Sequence, residues 1–86
     1  MPRIKYLESI RGGVSVWIYY KDHGFPHVEI YKGKPSSYEA HLKLNLLDFS
    51  VMECSGFSER AVRVLLKELE PYRSILLRDW YEITES

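Results

Sequence analysis

All three histidines of the chain, His23, His27 and His41, fall within nineteen residues of one another, with Glu29 and Glu39 among them. Imidazoles and carboxylates ligate divalent metals, and a histidine beside a carboxylate moves protons near neutral pH. Two chemistries follow. His27, Glu29 and His41 form a ligand set for a divalent transition metal, to which His23 or Asp22 adds one more donor. Alternatively, His23, His27 and His41 are candidate catalytic acids and bases, of the kind a phosphodiester-cleaving RNase needs. A third reading is simpler: Glu29 and His41 are a cross-strand polar pair on a solvated sheet face. The spacing of His23 and His27 is not that of a helical metal pair, because Pro26 interrupts it.

Which reading holds depends on the elements that carry these residues. The pattern changes once, near Gly56. Before it, β-branched and aromatic residues cluster between turn signals. After it, the period is helical. Arg11-Gly12-Gly13 predicts a tight hairpin joining a strand over Ile4 to Ile10 to one over Val14 to Tyr20. In the second of these, Val14, Val16, Ile18 and Tyr20 share one face, and Trp17 and Tyr19 the other. Further strands are expected over His27 to Lys32 and Tyr38 to Leu44, with a short fifth over Phe49 to Glu53. A loop over Gly33 to Ser37 sets Glu29 opposite His41, His27 opposite Lys43, and Tyr31 opposite Glu39. His27, Glu29, Tyr31, Glu39, His41 and Lys43 then share one face, while Val28, Ile30, Tyr38, Ala40, Leu42 and Leu44 make the other. A one-residue slip would bury charges, so the parity is strongly specified.

Ser58 has the chemistry of a helix N-cap, with Phe57 placed to staple onto Val62. Ala61, Val62, Leu65, Leu66 and Leu69 form one apolar helical face. Pro71 discourages helical geometry at Glu70 and suits the first turn of a second helix showing Tyr72, Ile75, Leu76, Trp80 and Ile83. The expected fold is α+β: a single domain over residues 1–86, with an antiparallel sheet of four to five strands in residues 1–55. A helical hairpin over residues 57–86 packs on one face of that sheet. Arg60, Arg63 and Lys67 make a basic helical stripe, read as a solvated face, and Cys54 is read as a small core or boundary residue.

Composition narrows the function classes. Twelve basic residues balance twelve acidic ones, so the phosphate-neutralising excess behind non-specific nucleic-acid binding is missing, although nothing forbids specific binding. One cysteine excludes an internal disulfide. No apolar run spans a bilayer and the opening lacks a signal-peptide core, so a cytoplasmic protein with no membrane partner is expected. Aromatic residues reach 14%, seven of them tyrosine, more than so small a core needs; Trp17, Tyr19 and Tyr31, with Asp22, are the expected partner-binding residues. No glycine-rich phosphate loop or serine-nucleophile elbow is found.

Met1-Pro2-Arg3-Ile4, Asp22-His23, Pro26-His27, Arg60-Ala61-Val62 with Leu65, and Arg73-Ser74-Ile75-Leu76-Leu77-Arg78-Asp79-Trp80 together resemble a small bacterial family known as domain of unknown function forty-one-sixty. Such members open Met-Pro-x-Ile, carry Asp-His-x-Pro-Pro-His-x-His, and close with Arg-x-x-Leu-Leu-x-x-Trp. Phe25 departs from the pattern, as does Glu29 at the place of a third histidine, and the usual mid-helix tryptophan is missing near Glu68 and Leu69. The resemblance implies a short gene beside another small gene, in the style of toxin–antitoxin or mobile-element loci. The reading that follows is a non-catalytic interaction or regulatory module. Its partner is a protein, such as the product of a neighbouring gene, or a second copy in a homodimer. No cofactor is expected, though a divalent metal would fit the histidine cluster. The alternative is a small RNase-like or metal-dependent hydrolase built on His23, His27, Glu29 and His41.

Overall fold

The structure, a computed structural model, describes residues 13–19 and 24–85. The expected first strand over Ile4 to Ile10, most of its turn, and Asp22 and His23 lie outside the described residues. The described chain is α+β. Four strands, β1 (Val14–Trp17), β2 (His27–Lys34), β3 (Ser37–Asn45) and β4 (Val51–Ser55), form an antiparallel sheet in the order β1-β2-β3-β4. Helix α1 (Glu59–Leu69), a 3-10 turn (Glu70–Tyr72) and helix α2 (Arg73–Glu85) follow.

Alternation in the strands builds the core. Val14, Val16, Ile18, Val28, Ile30, Ala40, Leu42 and Leu44 are buried on one side of the sheet, where Leu65, Leu69, Leu76 and Trp80 of the helices meet them. Each large side chain so buried contributes about 1.5–3 kcal/mol relative to exposure. Ser58 caps α1 as its residue type predicts: its backbone is extended, and its hydroxyl accepts from the Ala61 amide at 3.1 Å. Glu59 in the first turn and Lys67 in the last complement the helix dipole.

Two features differ from the sequence expectation. The first is the helical hairpin. Leu69, Glu70 and Arg73 all hold right-handed helical angles, at φ/ψ of −84/−22, −50/−45 and −53/−49, so no reversing loop separates α1 from α2. Pro71 tightens the chain into a single 3-10 turn and does not end it. Its ring fixes a φ compatible with helix, and it forfeits only one backbone bond at the junction. The core-facing residues Leu65, Leu69, Tyr72, Leu76, Trp80 and Ile83 accordingly continue one helical stripe through the proline. Ile75, expected on that stripe, is exposed.

The second difference is the pairing of β2 with β3. Lys34 pairs with Ser37 across a two-residue turn, Pro35-Ser36, which alone moves the register by one relative to a five-residue loop; with one further residue bulged out of β3 the shift over the rest of the pair is two. Tyr31 now faces His41, Glu29 faces Lys43 and His27 faces Asn45. A shift by an even number preserves the faces. At that bulge Lys32 pairs with Ala40 and Gly33 with Tyr38, which leaves Glu39 as an additional residue on β3. Glu39 and Ala40 then lie against Lys32 together, with the Lys32 ammonium 3.9 Å from the Glu39 carboxylate, and the strand's alternation reverses beyond that point.

The β3–β4 connection is held from several directions. The Asn45 side chain accepts the Leu47 amide at 2.8 Å, and the Asp48 carboxylate accepts the Ser50 amide at 2.9 Å. Arg73 donates to the carbonyls of Leu46, at 3.0 Å, and Leu47, while its guanidinium lies 5.7 Å from the Phe49 ring centre. Hydrogen bonds from Ser50, assisted by the Arg73 charge, hold the Asp48 carboxyl below its usual range. Gly56 closes the route from β4 to α1 at φ +79; a Cβ there would stand 2.4 Å from the Glu39 carbonyl oxygen. No described helix is long and apolar enough to cross a membrane.

Candidate functional site

The face of the sheet turned away from the core carries the residues singled out from the sequence. Trp17 pairs with Glu29 across β1 and β2, and Ser15 with Tyr31. Tyr31 pairs with His41 across β2 and β3, and Lys43 with Glu53 across β3 and β4. Trp17 and Tyr19 belong to this polar face: the Trp17 indole donates to the Ser15 hydroxyl at 2.8 Å, and the Tyr19 and Tyr31 hydroxyls meet at 2.8 Å.

At its centre is one carboxylate. Glu29 Oε1 accepts from His41 Nε2 at 3.0 Å and from the Tyr31 hydroxyl at 3.3 Å. A carboxylate only accepts, so His41 carries a proton on Nε2. Tyr31 spends its single proton on Glu29, which makes Tyr19 the donor between the two phenols. Both arms of the network Tyr19–Tyr31–Glu29–His41 therefore converge on the Glu29 carboxylate. Its members are well sheltered: side-chain exposure is 12% for His41 and 18% for Glu29, and Tyr31 is 7% exposed. Burial, then the charge of the Glu29 carboxylate, push the Tyr31 phenol far above the ordinary tyrosine range. Tyr31 is thus a fixed hydroxyl donor and not a base.

Rings cover this network. Tyr31 stacks on His41 with centroids 4.9 Å apart and planes inclined by 27°. Tyr38 leans on both, 5.3 Å from Tyr31 and 5.4 Å from His41, and remains 46% exposed. Strict alternation along β3 puts Tyr38 with Ala40 on the apolar face. The bulge at Glu39 turns it over to the polar face, and a glycine inside a strand, Gly33, is the sequence signal that could have revealed this.

The expected ligand trio is divided. Glu29 and His41 meet, but His27 does not join them. Its ring is 4.8 Å from Trp80 of α2 and it is 5% exposed, with Nδ1 donating to the Phe25 carbonyl at 3.0 Å. His27 is the first residue of β2. At that end of a twisted sheet its ring reaches the last turns of the helical layer and leaves the cross-strand row. Among the described residues, no three His, Cys, Asp or Glu side chains gather in a metal-binding group. His23 and Asp22 lie outside the described residues. Arg60, Arg63 and Lys67 are exposed on α1, and Cys54, expected at the core or its boundary, is exposed on β4.

No protein-family model, curated protein or solved structure matches the chain.

Proposed function

We propose that the chain is a protein-interaction module that binds its partner through the aromatic, polar face of the sheet. The observation that carries this reading is the half-exposed Tyr38 ring, seated on Tyr31 and His41 over a hydrogen-bonded floor. Tyrosine and tryptophan supply large contact areas with few torsions to freeze, and rings already ordered in the free protein lose little entropy on binding. Trp17, Tyr19 and Tyr38 offer that kind of surface; Tyr31, expected to join them, is buried and serves as the floor on which Tyr38 rests. The balanced net charge agrees with a protein partner better than with a bare phosphate backbone. The resemblance to a family of short paired genes points to the product of a neighbouring gene as the partner.

The experiment is co-expression with the neighbouring gene product, followed by size-exclusion chromatography. A stable complex is expected with the native chain, with loss of the complex in Tyr38→Ala and Trp17→Ala at unchanged circular dichroism. A complex indifferent to both substitutions, or no complex at all, contradicts the reading.

The 3.0 Å contact between Glu29 and His41 favours one second reading, an acid–base hydrolase. A carboxylate that fixes the proton on Nε2 leaves Nδ1 to act as base. This version uses His41 and Glu29 and leaves out His27, which is buried against Trp80. Cleavage of a fluorogenic RNA by the native protein, abolished in His41→Gln and strongly reduced in Glu29→Gln, is its required result. Equal cleavage by all three would dismiss it.

A further inference from the structure

Strand β4 offers a second surface, independent of the aromatic face. Among the described residues it has a strand on one side only, β3. Val51, Glu53, Cys54 and Ser55 are exposed. Its two sides are chemically distinct. Cys54 pairs with Leu42 and so faces the helical layer, where its thiol lies 3.8 Å from the Phe57 carbonyl. Glu53 pairs with Lys43 on the polar face. Beside the open edge, between β4 and α1, runs a groove of about 480 Å³ lined by Cys54, Phe57, Val62, Glu59 and Arg63. An open strand edge adjoining an apolar groove is the arrangement by which peptides add a strand to a sheet. Main-chain bonds to the edge give affinity, and a pocket for alternate side chains gives selectivity.

We propose that β4 and this groove take up an extended segment of a partner protein as a further strand of the sheet. One apolar side chain of that segment enters the groove by Cys54, Phe57 and Val62, and a neighbouring basic side chain lies against Glu53 on the other face. Period-two alternation requires this combination, because adjacent residues of a strand point to opposite faces. Charge argues against a second copy as the occupant. Full antiparallel self-pairing of Val51–Ser55 sets Val51 opposite Ser55 and Glu53 opposite Glu53, and like charges directly opposed are destabilising. Lys43 occupies the β3 side of Glu53, so the outward side is the one open to a basic residue of the partner.

The test is fluorescence anisotropy of the full chain with a labelled decapeptide alternating valine and lysine. Two controls accompany it: the valine–glutamate analogue, and the first peptide N-methylated at every residue. Expected are a preference of at least tenfold for the lysine peptide, reversal of that preference in Glu53→Lys, and loss of binding on N-methylation. Tyr38→Ala should bind the peptide as the native chain does, which separates this surface from the aromatic face. Equal affinity for both peptides, no binding, or binding that survives N-methylation overturns the proposal. So does a concentration-dependent dimer that the lysine peptide dissolves, because the edge would then belong to a second copy.

Discussion

The two faces of the sheet are built by different rules. Toward the helices, Val16, Val28, Ile30, Leu42 and Leu44 follow strict alternation, carry no polar atoms in their side chains, and are at most 1% exposed. On the polar face, Tyr19, Glu29, Tyr31, Tyr38 and His41 are held by directed hydrogen bonds and ring contacts that depend on register and on a bulge. The first face stabilises by area removed from water, which is non-directional. The second fixes orientation, which is what recognition requires. Substitutions should therefore cost stability on the core side and function on the polar side.

The largest effects should fall at and beneath the core. Leu42→Ala is expected to cost about 3 kcal/mol in chemical denaturation, from lost burial plus the cavity left behind. Gly56→Ala should cost on the order of 3 kcal/mol as well, since it combines a left-handed backbone with a collision against β3. Wild-type stability in either variant would show that the helical layer does not hold the sheet as described.

An intermediate effect is expected at Tyr31, where the two faces differ in their response to pH. Tyr31→Phe removes the hydroxyl that joins Tyr19 to Glu29 and should cost about 1–2 kcal/mol near neutral pH. The phenol's folded pKa is raised, whereas in the unfolded chain it ionises near about pH 10. The stability it carries is therefore complete below about pH 10 and is lost as pH rises toward the folded value. Melting temperatures followed from about pH 8 to 11 should fall more steeply for the native chain than for Tyr31→Phe. Parallel curves would mean that the phenol is not confined.

Smaller again is Ser58→Ala, which removes the α1 cap and should cost about 1 kcal/mol. The smallest change in stability, within about 0.5 kcal/mol, is expected for Tyr38→Ala, since half of that ring is already in water. Its effect should appear only in partner binding. A large loss of stability would place Tyr38 in the packing and remove the contrast between the faces.

Much of the core side was legible in the sequence. The alternation of Val28 and Ile30 against Glu29, and of Ala40, Leu42 and Leu44 against His41 and Lys43, assigns the faces without coordinates, because a slip of one residue would bury charge. Ser58 and the leucine stripe likewise located α1. The polar side was legible only in part. Its face was clear, but its cross-strand pairs depend on the turn and the bulge together: Pro35-Ser36 closes a tighter hairpin than Gly33 to Ser37 suggests, which moves the register by one, and the bulge at Glu39 moves it by one more. Tyr38 was misplaced because a bulge adds one residue and reverses parity. His27 was misplaced because alternation describes the middle of a strand, and this ring stands at its first residue, within reach of Trp80. Pro71 suggested a hairpin because helices commonly stop before proline. The unbroken spacing from Leu65 to Ile83 was the countervailing signal.

The most direct test of the aromatic face is NMR titration of the labelled chain with the partner proposed for it, a neighbouring gene's product. The Trp17 indole, the His41 ring protons and the Tyr38 amide should shift or broaden together and saturate with one affinity, while the amides of Arg60, Arg63 and Lys67 on the outer face of α1 stay in place. Perturbations confined to α1, with Tyr38 and His41 unmoved at saturation, would contradict the account.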